Sequence, residues 1–533
     1  MTSSKTPKNK TLKKIGFASF IMMASVFASR LIGLLRESTI AWLGGANYGV
    51  DAYQIAFVIP EILNHVVASG FLSITFIPIF THYLTSNREQ EGYKVFSIIL
   101  NGFGLALICI MGEAIVFAPE LIKVLAPGLT HGPTLDLAVR MTRIIIPAQF
   151  FFFSGGLFMA IQFSKERFLI PALAPLIYNL GIIAGGICLY PLMGMEGFAW
   201  GVLAGAFVGS FGLQMWGARR AGLRYFLCFD LKHPDFKKYI LLTLPLMLGL
   251  TMTFSTEILM KFFGSFLDEG SISAMNYALR IMFILVGFFG QAVGMASYPF
   301  LAKLASDNKL DQLNQIINKT LKFIFLVLPF SVLFMVVRTE VVAILFKRGA
   351  FDTHAVELTA GVLPYFMIGA FAFSAQTIVS RGYFAVQNTL FPALFSTVCV
   401  LLSLPLIYAG MISMGIKGVA LGLSLSVALT CGLLFETWNR KTQNTEKHEV
   451  YRFFFVLVLV SSGLGAMLQG VYLLVIQLIL PGSLINNLMI CALMGIVFLF
   501  MFGLIGKIFH IPEIHTLYHT LFKKVFAWGK KAG

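Results

Sequence analysis

Charge is scarce in this 533-residue chain: Asp, Glu, Lys and Arg make up 12% of it, about half the share usual in a soluble domain. Acidic residues are the scarcer kind, 24 against 40 basic, which leaves a formal net charge of +16. So few charges cannot cover a globular surface. Cysteine is sparse too. Cys109, Cys188, Cys228, Cys399, Cys431 and Cys491 are scattered without a C-x-x-C spacing, which excludes a disulfide framework and a cysteine metal site. The sequence has no G-x-x-x-x-G-K-[ST] loop and so no ATP engine of that kind. It also lacks D-x-D, H-E-x-x-H, nucleophile-elbow and T-V-G-Y-G patterns, and no polar stretch is long enough for a soluble catalytic domain. These absences count against an enzyme and a potassium-selective pore, and no metal or other cofactor is expected.

What fills the chain is apolar. Hydrophobic residues make up 58% of it and the mean hydropathy is +0.84. A bilayer-spanning helix needs about 20 mostly apolar residues. Hydropathy gives fourteen such spans, near 16–43, 52–84, 95–118, 140–163, 169–190, 197–218, 239–267, 272–302, 321–345, 356–384, 391–411, 417–438, 452–479 and 484–506. The first contains Arg30 and Arg36 and has no A-x-A-like cleavage site, so it reads as a retained helix and not a signal peptide. The fold class expected is an all-α polytopic membrane protein.

The basic excess is topological. With the N-terminus in the cytoplasm, that side holds the lysines of the N-terminal tail, the arginines and lysines of 219–238 and 439–451, and the C-terminal lysines. The opposite side holds only Lys123, Arg140, Arg143, Arg338, Lys347, Arg348 and Lys417. This is the positive-inside asymmetry; it predicts both termini in the cytoplasm and argues against a nucleic-acid partner.

The chain also repeats itself. MGMEGFAWG at 193–201 matches MGIKGVALG at 414–422, an offset of 221 residues. LIPALAP at 169–175 matches LFPALFS at 390–396, and Pro78 and Pro299 keep the same offset. Three anchors in one register predict two copies of a six-helix unit. An even number of spans makes the copies parallel, an arrangement of transporters whose substrate site lies between the repeats. The expected organisation is a first repeat over 1–218, an amphipathic basic linker over 219–238, and a second repeat over 239–438. A further linker at 439–451, an accessory helix pair at 452–506 and a basic, aromatic-bearing tail at 507–533 complete it.

An ionisable side chain at mid-bilayer costs about 2.5–3.5 kcal/mol on insertion scales, so each one is a functional candidate by default. Here they gather in the first two helices of each repeat: Arg30, Arg36 and Glu37; Asp51, Glu61, Asn64 and His65; Glu257 and Lys261; Arg280. The repeat offset places Arg36 at the position of Glu257. Glu257 and Lys261 are four residues apart and could neutralise each other. Glu61 and His65 share that spacing, and His65 reads either as a hydrogen-bonded packing residue or as a proton relay. Glu37 and Asp51 lie near the periplasmic end, as solvated ends or as a gate. The three arginines suggest a cationic cavity suited to pyrophosphate, since guanidinium binds phosphate bidentately. Gly33, between the helix 1 arginines, would let a headgroup approach the backbone.

SRLIGLLRESTIAWLGGANYGVDAYQIAFVIPEILNHVVASGFLSITFIPIF at 29–80 resembles the MurJ/MviN family of lipid II flippases, part of a superfamily that includes multidrug exporters and O-antigen flippases. FKRGAFDTHAVELTAGVLPYFMIG at 346–369 and RGYFAVQNTLFP at 381–392 extend the resemblance. By motif, Arg30 and Arg36 stand at the family's helix 1 arginines, Asp51 at its helix 2 aspartate and Arg280 at its helix 8 arginine. Two positions depart from the pattern: Asn64 or His65 stands where the family has a helix 2 arginine, and Ser69 where it has a glutamate. Lys261 or protonated His65 would supply the missing cation.

The resemblance implies an inner-membrane flippase that carries lipid II, the peptidoglycan precursor, to the periplasmic leaflet by alternating access. Arg30, Arg36, Arg280, Asp51, Lys261, Asn64 and His65 would line the substrate cavity. Glu37, Glu61, Glu257 and Gly33 would serve gating or coupling. The phospholipid membrane and the cell-wall synthesis machinery are the other partners implied. Another polyprenyl-pyrophosphate oligosaccharide is the alternative cargo, and an ion-coupled drug antiporter using Glu61, His65 and Glu257 is a further alternative.

Overall fold

A computed structural model of the chain describes residues 7–64, 70–129, 132–248, 251–509 and 512–514. Its regular elements are helices; the one β-bridge among the described residues joins Pro481 and Ser483. Among the described residues, eleven helices are long and apolar enough to cross a membrane, from Glu89–Val116 to Leu484–Ile508. They match eleven of the fourteen predicted spans. The other three are the first helix, Pro7–Gly44, and two regions built in pieces. The second span contains Tyr48–Ala56, Val58–Leu63 and Gly70–Thr85; the seventh contains Pro234–Leu248 and Thr251–Gly264. His65, Ser69 and most of the 507–533 tail lie outside the described residues.

The chain forms two compact units. The first is residues 1–251 together with two short loops from later in the chain, Asp268–Gly270 and Arg348–Phe351. The second holds the rest, including the helices Lys447–Leu478 and Leu484–Ile508.

One pair of helices keeps the repeat offset. Leu169–Met193 and Leu390–Met414 are both 25 residues long and start 221 residues apart. Each ends on a glycine in the same conformation, Gly194 at φ +57°, ψ −136° and Gly415 at φ +57°, ψ −132°. That backbone is open to glycine and strained for any L side chain, so the MG pair of each repeat is a chain-reversal signal. The helix that follows then packs back at close range. In the first unit a Cβ on Gly201 would lie 2.7 Å from Gly181 O; in the second, one on Gly418 would lie 1.8 Å from Gly410 O. Small residues let backbones approach where lipid supplies no hydrophobic drive between helices.

The 219–238 linker has no regular structure over residues 223–230, and a new helix starts at Pro234. The accessory helices are held to the second unit by aromatic contacts, Phe325 with Phe454 at 5.0 Å and Phe330 with Phe498 at 5.0 Å between ring centroids.

Candidate functional site

In the first unit, the long helix Pro7–Gly44 lies along Leu169–Met193, and the polar groups of both meet at Arg36. The Arg36 guanidinium donates to Glu37 Oε1 at 2.6 Å and to Asn179 Oδ1 at 3.0 Å. Asn179 in turn donates to Pro175 O at 2.9 Å and to Ser29 Oγ at 3.4 Å. Arg36 keeps 23% of its side-chain surface, Glu37 only 5%. Arg36 Nε–H meets no acceptor among the described residues. Tyr53 and Tyr178 are near enough to Arg36 to interact with its charge. The result is a guanidinium fixed in direction by a carboxylate and an amide, with donor capacity left over.

Asn179, Tyr53 and Tyr178 were not among the sequence candidates. Asn179 carries no charge, so a search for ionisable residues passes over it. Its signal was an amide in the middle of a 25-residue apolar helix. Arg30, one and a half turns before Arg36, is exposed, and Gly33 lies in open space: a Cβ there would meet nothing within 4 Å. Helix packing therefore does not require glycine at 33.

Asp51 opens the second helix and is buried. Asn47 caps that helix, its Oδ1 accepting from Gly49 N–H and Val50 N–H. Asp51 Oδ2 accepts from Gly270 N–H at 2.7 Å. Gly270 belongs to one of the two later loops counted in this unit, and the other loop docks alongside, with Ala350 N–H donating to Trp42 O at 2.8 Å. Asp51 thus grips backbone. Glu61 and Asn64, further along this region, are half-buried.

In the second unit the pair is Arg280 and Glu257. Arg280, on Ser271–Val286, reaches Glu257 Oε1 on Thr251–Gly264 at 3.4 Å. They keep 33% and 16% of their side-chain surface. An ion pair across two helices thus joins Glu257 to Arg280. Lys261 is 2% exposed. A π-helical turn, Gly287–Ala292, follows Arg280. Such single-turn distortions accompany functional sites in membrane and soluble helices alike.

Each unit therefore holds an arginine–glutamate pair, Arg36 with Glu37 and Glu257 with Arg280, and Arg36 and Glu257 stand 221 residues apart. Unpaired, each charge would be costly in hydrocarbon; paired, it can be kept at lower cost. Among the described residues no cluster of His, Cys, Asp and Glu is arranged to hold a metal ion.

Known proteins are similar to this chain over most of its length. A relative in Thermotoga maritima, named a probable lipid II flippase MurJ, is 28% identical over 92% of this chain and 96% of its own. The lipid II flippase MurJ of Burkholderia cenocepacia is 27% identical over 82% of this chain and 86% of its own. A solved lipid II flippase MurJ, in an inward closed conformation, superposes with a TM-score of 0.74 at 24% identity, covering 92% of this chain and 99% of that one. An inward-facing multidrug resistance transporter of the MATE family aligns more loosely, at TM-score 0.64 and 15% identity over 78% of this chain and 94% of that one. The fold is thus common to exporters of different cargo, and the narrower match decides between them. The lipid II flippase MurJ family profile fits residues 40–501, and the chain belongs to that family.

Proposed function

We propose that this chain is a flippase that moves lipid II from the cytoplasmic to the periplasmic leaflet of the inner membrane, with both termini in the cytoplasm. The observation that carries the proposal is the family match over residues 40–501, which spans every intramembrane charge except Arg30, Arg36 and Glu37. In this reading Arg30, Arg36 and Arg280 hold the pyrophosphate by charge-assisted hydrogen bonds. Phosphate oxygens take up the spare donor capacity of Arg36 and compete with Glu257 for Arg280. Buried Lys261 adds positive charge, with Asn64 and His65 on the second helix. Asp51 and Glu37 belong to the periplasmic gate: release of the Gly270 N–H from Asp51 frees the loop it holds. Glu61 and Glu257 are the groups whose change of charge would couple transport to an ion, and access alternates as the headgroup crosses.

The substrate is tested by binding of the purified chain to lipid II and, in parallel, to an O-antigen polyprenyl-pyrophosphate precursor. Preference for lipid II, lost in R36A and R280A, is the expected outcome. Equal binding by those variants would contradict the arginine site. Preference for the O-antigen precursor would favour the alternative cargo, which the uncharged Asn64 in place of the family's arginine motivates.

A further inference from the structure

The linker after the first repeat is fastened to the helix Glu89–Val116. Phe226 N–H donates to Ser97 Oγ at 3.0 Å, and Asn101 Nδ2 donates to Cys228 O at 3.0 Å. Tyr225 O–H donates to Asn101 Oδ1 at 2.8 Å. Tyr225, Leu227 and Phe229 together line a cavity of about 450 Å³. The rest is almost wholly apolar, with Phe96, Leu105, Ile108, Phe150 and Phe211 among its lining.

Two features say what fits. Leu105 is 53% exposed and Ile108 48%, and the same helix runs on to Val116 at 64%, so the cavity opens onto a face that lipid covers. Leu227, 80% exposed, and Phe229, 59%, extend the same apolar surface. At one end stands Arg219, whose guanidinium makes no hydrogen bond or ion pair with a described residue. Arg220 and Arg224 are exposed beside it in the chain, Arg220 stacked over Trp216 at 4.0 Å. An apolar cleft with a basic end, at the basic side of the membrane, matches one class of molecule in both chemistries. Free phosphate has no use for the cleft, and a neutral apolar molecule has none for the arginine.

We infer that this groove seats an acyl chain of an anionic phospholipid, with its phosphate at Arg219, so that membrane lipid packs the inter-repeat linker against Glu89–Val116. The site is separate from the arginine–glutamate pairs and does not depend on the transport reading. Its size is that of sites that enclose small ligands, and its charge is of the kind that attracts anionic lipid to juxtamembrane basic residues.

The test is native mass spectrometry of the full chain in micelles containing phosphatidylglycerol or phosphatidylcholine, for wild type, R219Q and L105W. Wild type should retain phosphatidylglycerol in preference. R219Q should lose about fivefold in that preference, the effect of removing one basic residue at an anionic surface. L105W, with bulk in the mouth of the groove, should retain less of both lipids. Both positions are exposed, and unchanged melting temperatures would separate loss of the site from loss of the fold. A phosphatidylglycerol with a photoreactive chain end should label the 96–108 and 223–229 peptides. Equal retention of the two lipids by wild type would overturn the inference. So would labelling elsewhere, or displacement of the label by polyprenyl phosphate but not by phosphatidylglycerol.

Discussion

Arg36 enters the apolar region with two partners already in place, Glu37 at 2.6 Å and Asn179 at 3.0 Å. Removing one member of such a pair leaves the other charge poorly compensated. E37Q should lower stability by about 2 kcal/mol, less than for full burial because Arg36 keeps some exposure, and read as a fall in melting temperature in detergent. N179A should cost less, since it removes a neutral amide. Arg280 tests the geometry of phosphate binding. A lysine there keeps the charge but loses the planar fork. R280K should therefore reduce lipid II binding roughly tenfold, as expected for one charge-assisted hydrogen bond of about 1.5 kcal/mol. Unchanged affinity would mean that charge alone suffices. Arg36, Glu37, Asp51, Glu257 and Arg280 were all legible in the sequence, because charge inside an apolar run is conspicuous. Their partners were not. Nothing in the sequence says that Glu257 turns to Arg280 on the next helix, or that Asp51 accepts from the backbone of Gly270.

Helices and their crossings follow rules of size. Gly201 faces the backbone of Gly181 and Ile182, and a backbone atom cannot rotate away. G201V should destabilise by about 1–3 kcal/mol through overpacking. Gly112 has nothing within 4 Å of a built Cβ, and G112A should be neutral or gain about 0.5–1 kcal/mol. Thermal unfolding of the two variants side by side checks the pair. One anchor of the repeat register is a glycine pattern, 193–201 against 414–422, whose spacing is set by those crossings. The course of the linker was hidden, since its hydrogen bonds go to Ser97 and Asn101, more than a hundred residues back. The accessory helices bring a different constraint. Tyr472 O–H donates to Glu340 Oε1 at 2.8 Å, and Glu340 is 1% exposed. Y472F should cost about 1–3 kcal/mol by leaving a buried carboxylate without its donor; no change in melting temperature would show that the pair is not what holds Lys447–Leu478.

For the whole molecule, the sequence's two broadest properties, few charges and a biased placement of those present, set a membrane fold and predict its orientation. They are silent on cargo. The family match over residues 40–501 motivates the cargo proposed, and the same fold in a multidrug transporter at TM-score 0.64 shows why fold alone would not. The account stands on arginines that hold a pyrophosphate while the headgroup crosses. Its most direct test is the exposure of lipid II headgroups on the periplasmic leaflet, measured in cells depleted of their own flippase and supplied with this chain. Wild type should restore exposure, and R36A and R280A, present at equal amounts, should leave it at the depleted level. Full exposure with both arginines removed, or none with the wild-type chain, would contradict the account.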